Sequence, residues 1–308
     1  MQNFIEDFTK LPYKLQEIQQ DASSRKYYRL HYGEKSAIIM DCQQCPEVLE
    51  SFAHTTKILT EIGVRVPKIY QMNKFAGIVE DFGDNKISSH LVAFPGNSEV
   101  IYMKSVEILA KIVQNSPDCT RHNLPNYCAN EQLASFDRFF EFYLPNFTKL
   151  QAQDLDICRF SGEFSQILQG KFSKSLVLRD YHVDNILVLS GGNLGVIDYQ
   201  DLSIGSPIYD LVSILDDVRS SVNLKIVQKC QEYFASELGY NFDEFYLEYN
   251  SLSLQRNVRI LGCFAKLAAL GRVEYLKYLP RCKELIANSM KKVPLSPEVL
   301  RILTNALD

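Results

Sequence analysis

Residues 178–185 read LRDYHVDN, and residues 195–201 read GVIDYQD. Between them, the apolar runs ILVLS and LGVID lie either side of Gly191-Gly192-Asn193, which predicts a strand-turn-strand hairpin. Asp180 and Asn185 then share a tight polar loop, and Asp198 falls at the carboxyl end of the returning strand. Asp and Asn are common in turns, so a lone Asp-Asn spacing would say little. Here the loop, the hairpin and the closing Asp coincide, and the rest of the chain must supply a setting for all three.

Upstream, KYYRLHY (26–32) and SAIIM (36–40) flank Gly33-Glu34-Lys35 as a hairpin. Pro46 sits where a helix starts, Val48, Phe52, Leu59 and Ile62 suit one buried face, and Gly63 fits the stop. PKIYQM and FAGIVE follow as a second hairpin joined by Asn73-Lys74. DFGDNKISS (81–89) is polar and turn-prone, and beyond it helical periodicity dominates near 97–115, 131–151 and 154–170, and again from about Pro207 onward. The pattern predicts an α+β chain of two lobes, a β-rich one over 1–82 and a mostly helical one over 83–308.

With 46% hydrophobic residues the chain can bury a large core. Its 33 basic and 37 acidic residues leave a net charge of -4, which gives no global field for nucleic acid or an anionic membrane. No apolar run approaches the roughly 20 residues that span a bilayer, and the N-terminal MQNFIEDFTKLPYKLQEIQQ has no continuous apolar core. The expectation is a cytoplasmic protein with reduced thiols, no nucleic-acid or membrane partner, and an oligomeric state left open. Its eight Cys are scattered, and Cys42-Cys45 lacks the second pair a zinc ribbon needs.

Phosphoryl transfer needs a carboxylate near the attacking hydroxyl and oxygen ligands that hold Mg²⁺ against nucleotide phosphates, because positioning and charge stabilisation dominate it. A kinase catalytic loop carries an Asp that accepts the substrate proton, an Asn five positions later on the metal, and a second metal-binding Asp after a short hairpin. Asp180, Asn185 and Asp198 match those places.

RDYHVDN and IDYQDLSIGSPIYDL also resemble the aminoglycoside phosphotransferase-like kinases, over most of the chain. With DASSRKYYRL, VEDFGD and LQRNVRILGCFAKL, the match is similar to the bacterial anomeric kinases for N-acetylmuramate and N-acetylglucosamine that serve peptidoglycan recycling. The resemblance implies a two-lobed, protein-kinase-like α+β fold whose first lobe binds the nucleotide, with ATP and Mg²⁺ as cofactors and an amino sugar as partner. It implies Asp180 as catalytic base, Asn185 and Asp198 as metal ligands, Ser23, Ser24 and Arg25 near the nucleotide phosphates, and Glu80, Asp81 and Phe82 as the strand whose backbone meets adenine. His182 and Asp201 would line the substrate site.

Two positions depart from the kinase pattern. AIIMD carries no Lys on the strand where kinases place one, leaving Arg25, Lys26 or Lys35 to hold phosphate, and Leu178 stands where the loop commonly has His. A kinase for choline, homoserine or an aminoglycoside, or a nucleotide-binding pseudokinase without turnover, are the alternatives. Residues 251–273 contain no acid but hold Arg256, Arg259, Lys266 and Arg272, which disfavours a cationic acceptor. Arg256 is the candidate for a carboxylate on the acceptor, against the alternative of a solvated basic helix face opposite Val258, Leu261, Phe264 and Leu267. Tyr181 and Tyr199 either pack on a sugar ring or fill the core, and Glu141, in SFDRFFEFYL, is a candidate acceptor contact by resemblance.

Overall fold

The computed structural model describes residues 1–18, 25–116, 123–134, 136–150 and 155–308. Its strands are β1 (Tyr13–Ile18), β2 (Lys26–Tyr32), β3 (Lys35–Asp41), β4 (Ile69–Met72), β5 (Ala76–Glu80), β6 (Asn126–Tyr127), β7 (Ser175–Val177), β8 (Ile186–Val188), β9 (Leu194–Val196) and β10 (Ser203–Gly205). Its α-helices are α1 (Gln2–Phe8), α2 (Glu47–Ile62), α3 (Ile87–Ala93), α4 (Ser98–Gln114), α5 (Ala129–Leu133), α6 (Leu144–Phe147), α7 (Ile157–Ile167), α8 (Tyr209–Leu215), α9 (Leu224–Glu237), α10 (Phe242–Ala269), α11 (Leu279–Ser289) and α12 (Pro297–Leu307). The fold is α+β, with a β-sheet N-terminal part and a mostly helical C-terminal part.

One compact unit comprises Met1–Asn97 together with Asp184–Leu202. It holds a five-stranded antiparallel sheet in the order β1-β2-β3-β5-β4, and the separate β8-β9 hairpin. Gly33, at φ +57°, makes the β2-β3 turn, where its lack of a Cβ removes the steric penalty. Leu30, Ala37, Ile39 and Ile78 bury one face of the sheet under Ile5 of α1. Helix α2 starts after Pro46 and stops at Gly63, which takes φ +81°. Its buried face runs through Leu49, Phe52, Ile58 and Leu59, and Val48 is only half-buried. The face is therefore centred one residue later than the periodicity suggested at its start.

The other unit comprises Ser98–Val183 and Ser203–Asp308. Its small sheet, ordered β6-β10-β7, leads into the 178–183 loop. A π-helical turn, Phe139–Tyr143, stands where one helix was expected over 131–151. Phe139, Phe140, Tyr143, Phe160 and Phe164 form an aromatic core against Leu254, Val258 and Leu261 of α10. These compact units are drawn differently from the lobes expected at 1–82 and 83–308: the β8-β9 hairpin groups with the N-terminal residues. Among the described residues no helix is long and apolar enough to cross a membrane.

Candidate functional site

The loop that carries Asp180 is held from below by two carboxylates. Asp210, buried on α8, accepts N–H groups of Leu178 at 2.6 Å and Arg179 at 2.9 Å. Asp217, just past α8 and fully buried, accepts the N–H of Val183 at 3.1 Å. The loop is thus pinned on both sides of Asp180, which is itself exposed. Arg179 takes φ +72°, in the left-handed region, a conformation that persists only where the surroundings over-determine it.

The two buried carboxyls beside one another on the chain behave oppositely. Burial raises Asp216 even though Ser253 and Tyr249 hydroxyls donate to it at 2.5 and 3.0 Å. Burial acts the same way on Asp217, but the charges of Arg219, His182 and Arg256 outweigh it, so Asp217 is lowered and stays ionised. At Asp216 the two hydroxyl donors and the charges of Arg256 and Arg281 together do not offset desolvation, whereas at Asp217 Arg219, His182 and Arg256, with the backbone N–H of Arg219, do. For Asp210, burial pushes the carboxyl up to about 7 against the two backbone donors, with the charge of Asp180 adding to the rise and Arg256 opposing it.

In the first unit, the β8-β9 hairpin brings Asn185 and Asp198 together at its open end, where the N–H of Ile197 donates to the carbonyl of Asn185 at 2.9 Å. Asp198 takes φ +59°, which Asp tolerates better than most residues. Its carboxylate accepts from Gln200 Nε2 at 3.0 Å and pairs with Arg25 at 3.4 Å. Gln200 also reaches Asp201, at 3.4 Å. The Asn185 and Asp198 side chains offer only oxygen acceptors to a cation, the donor chemistry that suits Mg²⁺, so the residues fit that ion.

Glu80 ends β5 and Asp81 and Phe82 follow it, each with its side chain engaged by a neighbouring group. Glu80 is paired with Arg65, which lowers its carboxyl, and accepts the N–H of Lys68. Asp81 pairs with Arg29 at 2.8 Å and accepts the N–H of Gly83. Phe82 lies under the Arg65 guanidinium, 4.6 Å from ring centre to Cζ, and against Gly195. Ser23 and Ser24 lie outside the described residues.

A model of the phosphotransferase enzyme family matches residues 14–234. The chain belongs to that family. Among the similar proteins is an N-acetylmuramate/N-acetylglucosamine kinase of Pseudomonas aeruginosa, 24% identical, the match covering 96% of this chain and 89% of the relative. Another of the same name, from Caulobacter vibrioides, is 25% identical with 85% and 83% covered. An ADP-bound aminoglycoside phosphotransferase superposes with a TM-score of 0.63 at 12% identity, covering 92% of this chain and 98% of that one. A choline kinase from Streptococcus pneumoniae also gives 0.63, at 13% identity with 93% and 97% covered. These structures share the fold. The chain is a phosphotransferase enzyme that acts on a hydroxyl acceptor, a small-molecule kinase.

The remaining candidates of this phosphotransferase are placed as follows. Tyr181 is 1% exposed and donates its hydroxyl to the Ser105 carbonyl at 2.9 Å, so the packing alternative describes it. Tyr199 is likewise buried, stacked on Phe52 with its hydroxyl 2.9 Å from Thr56. His182 is half-buried and acts electrostatically on Asp217, and Glu141 is exposed on the π-helical turn. Arg256 is no solvated residue: it is 4% exposed, donates from Nε to Ser213 at 3.0 Å, and its charge bears on Asp210, Asp216 and Asp217. The clamp formed by Asp210 and Asp217 escaped the sequence reading. Its only signal was the YDL segment, whose Asp looks like an ordinary helix-start acid until its backbone partners are known.

Proposed function

We propose that this kinase transfers the γ-phosphoryl group of ATP to the anomeric hydroxyl of N-acetylmuramate or N-acetylglucosamine, in the cytoplasm and in service of peptidoglycan recycling. The observation that carries the reading is the loop of Asp180, pinned by Asp210 and Asp217, in a chain whose relatives bearing that kinase name match most of its length. Asp180, exposed and on a fixed backbone, orients the acceptor hydroxyl and takes its proton. Asn185 and Asp198 hold Mg²⁺, which neutralises charge on the phosphates when bound. Arg25, already beside Asp198, supplies the phosphate-binding cation that AIIMD (37–41) lacks. The backbone of Glu80–Phe82 meets adenine, with the three side chains occupied elsewhere. Asp201 and His182 line the acceptor side.

An ADP-release assay with Mg²⁺-ATP and a panel of N-acetylmuramate, N-acetylglucosamine, glucose, choline, homoserine and kanamycin tests the acceptor class. Turnover confined to the amino sugars is expected; turnover only with choline or kanamycin would replace the reading by that of a kinase for a cationic acceptor.

A further inference from the structure

Helix α10 carries two arginines three residues apart whose surroundings differ in charge. Arg256 is buried, donates from Nε to Ser213 and leaves its Nη1 without a hydrogen-bond partner, and its charge acts on the buried carboxyls of Asp210, Asp216 and Asp217. Arg259, half-buried, donates from Nη2 to the hydroxyl of Tyr209 at 3.2 Å, and its Nε is buried with no hydrogen-bond partner. The Tyr209 hydroxyl lies 3.1 Å from that of Tyr127, the two rings edge-on with centres 4.9 Å apart. On the other side of this pair, Cζ of Arg179 stands 4.7 Å from the centre of the Tyr127 ring. Arg179 directly precedes Asp180. Two guanidinium groups therefore flank one tyrosine pair next to the proposed base.

Among the described residues neither guanidinium forms an ion pair with a carboxylate. A guanidinium has five N–H donors, and one tyrosine hydroxyl accepts only one of Arg259's. Sequestering a cation from water is costly unless an anion completes the site. The tyrosine oxygen does most to favour the charged form of Arg259, burial opposes it, and Tyr127, Cys263 and Asp180 add to the first effect. The fork of donors also has the geometry for a bidentate carboxylate.

We infer that Arg259, aided by Arg179, is the subsite for a carboxylate borne by the sugar acceptor, and so sets preference for an acidic over a neutral amino sugar. The inference rests on the amino-sugar kinase reading. It also moves the anion-binding role from Arg256, which is 4% exposed and whose charge acts on three buried carboxyls, to the half-buried arginine one turn later.

The test measures kcat and KM for N-acetylmuramate and for N-acetylglucosamine, which lacks the lactyl carboxylate, in wild type and Arg259→Lys, and for the methyl ester of N-acetylmuramate with wild type. The expected result is a kcat/KM ratio between the acidic and neutral sugars that falls about 10- to 100-fold in the variant, as when a charge-assisted hydrogen bond is lost, mainly through KM. The methyl ester should be as poor a substrate for wild type as the acid is for the variant. An equal loss on both sugars would assign the anion to the transferred phosphate and overturn the inference, as would an unchanged ratio. If the variant fails to fold, the ester decides alone: equal use of ester and acid by wild type overturns the inference. Wild type silent on both sugars would instead defeat the underlying kinase reading, and this inference with it.

Discussion

At the scale of single residues, the kinase reading turns on how carboxylates in different surroundings are assigned different tasks. Asp180 is exposed, Asp217 is kept ionised by cations, and Asp210 is pushed up to about 7, chiefly by burial. The sign for Asp210 follows from linkage. An unfolded Asp titrates near about 4, so between there and about 7 the native state holds a proton that the unfolded state has released. Its contribution to stability is complete below about pH 4 and is lost as the pH rises through about 7. Urea melts between pH 5 and 8 should therefore show falling stability with a component that disappears in Asp210→Asn; an identical pH slope in the variant would show that another group carries it. Little of this was legible in the sequence. Asp180, Asn185 and Asp198 could be picked out because their spacing is fixed by a loop and a hairpin that the chain itself announces. The clamp depends on which side chains meet across elements, and Arg256 and Arg259 look alike until the fold buries the first near Ser213 and leaves the second half-buried beside Tyr209.

At the scale of elements, legibility followed the strength of local signals. Helix α2 could be bounded from Pro46 and Gly63, and the β2-β3 hairpin from the alternation around Gly33. Strand β1 could not, because its central residues Lys14–Glu17 are all exposed and so carry no buried alternation. The helical periodicity over 131–151 is interrupted after α5, with turns at Ala134 and Phe136; residues 137–147 are then helical without a break, the π-helical turn running directly into α6 with Pro145 in the first turn of α6. The π-helical turn is approached closely by α10: a methyl group at Gly262 would overlap the backbone of Arg138 and Phe139. Gly262→Ala is expected to cost about 1–3 kcal/mol of stability by overpacking. A chemical melt of the variant at the wild-type midpoint would contradict the described contact.

At the scale of the whole molecule, a net charge of -4 says nothing of the acceptor, which is decided by local charge. The fold itself was largely readable, since a β-rich start followed by helices is coarse enough to survive errors in individual elements. Ligand linkage reports on the entire native state: Mg²⁺-ATP at a hundredfold excess over its Kd should stabilise the protein by about 2.7 kcal/mol. Asp198→Asn should lose the Mg²⁺-dependent part of that gain, and retention of it would remove Asp198 from the metal site. Phosphorus NMR of the purified protein with Mg²⁺-ATP and N-acetylmuramate or N-acetylglucosamine decides both the acceptor and the role of Asp180. The expected product is a sugar 1-phosphate, whose resonance appears about 10²- to 10⁴-fold more slowly in Asp180→Asn while nucleotide binding is kept. Wild-type turnover in that variant, or a phosphate on any other hydroxyl, would contradict this reading.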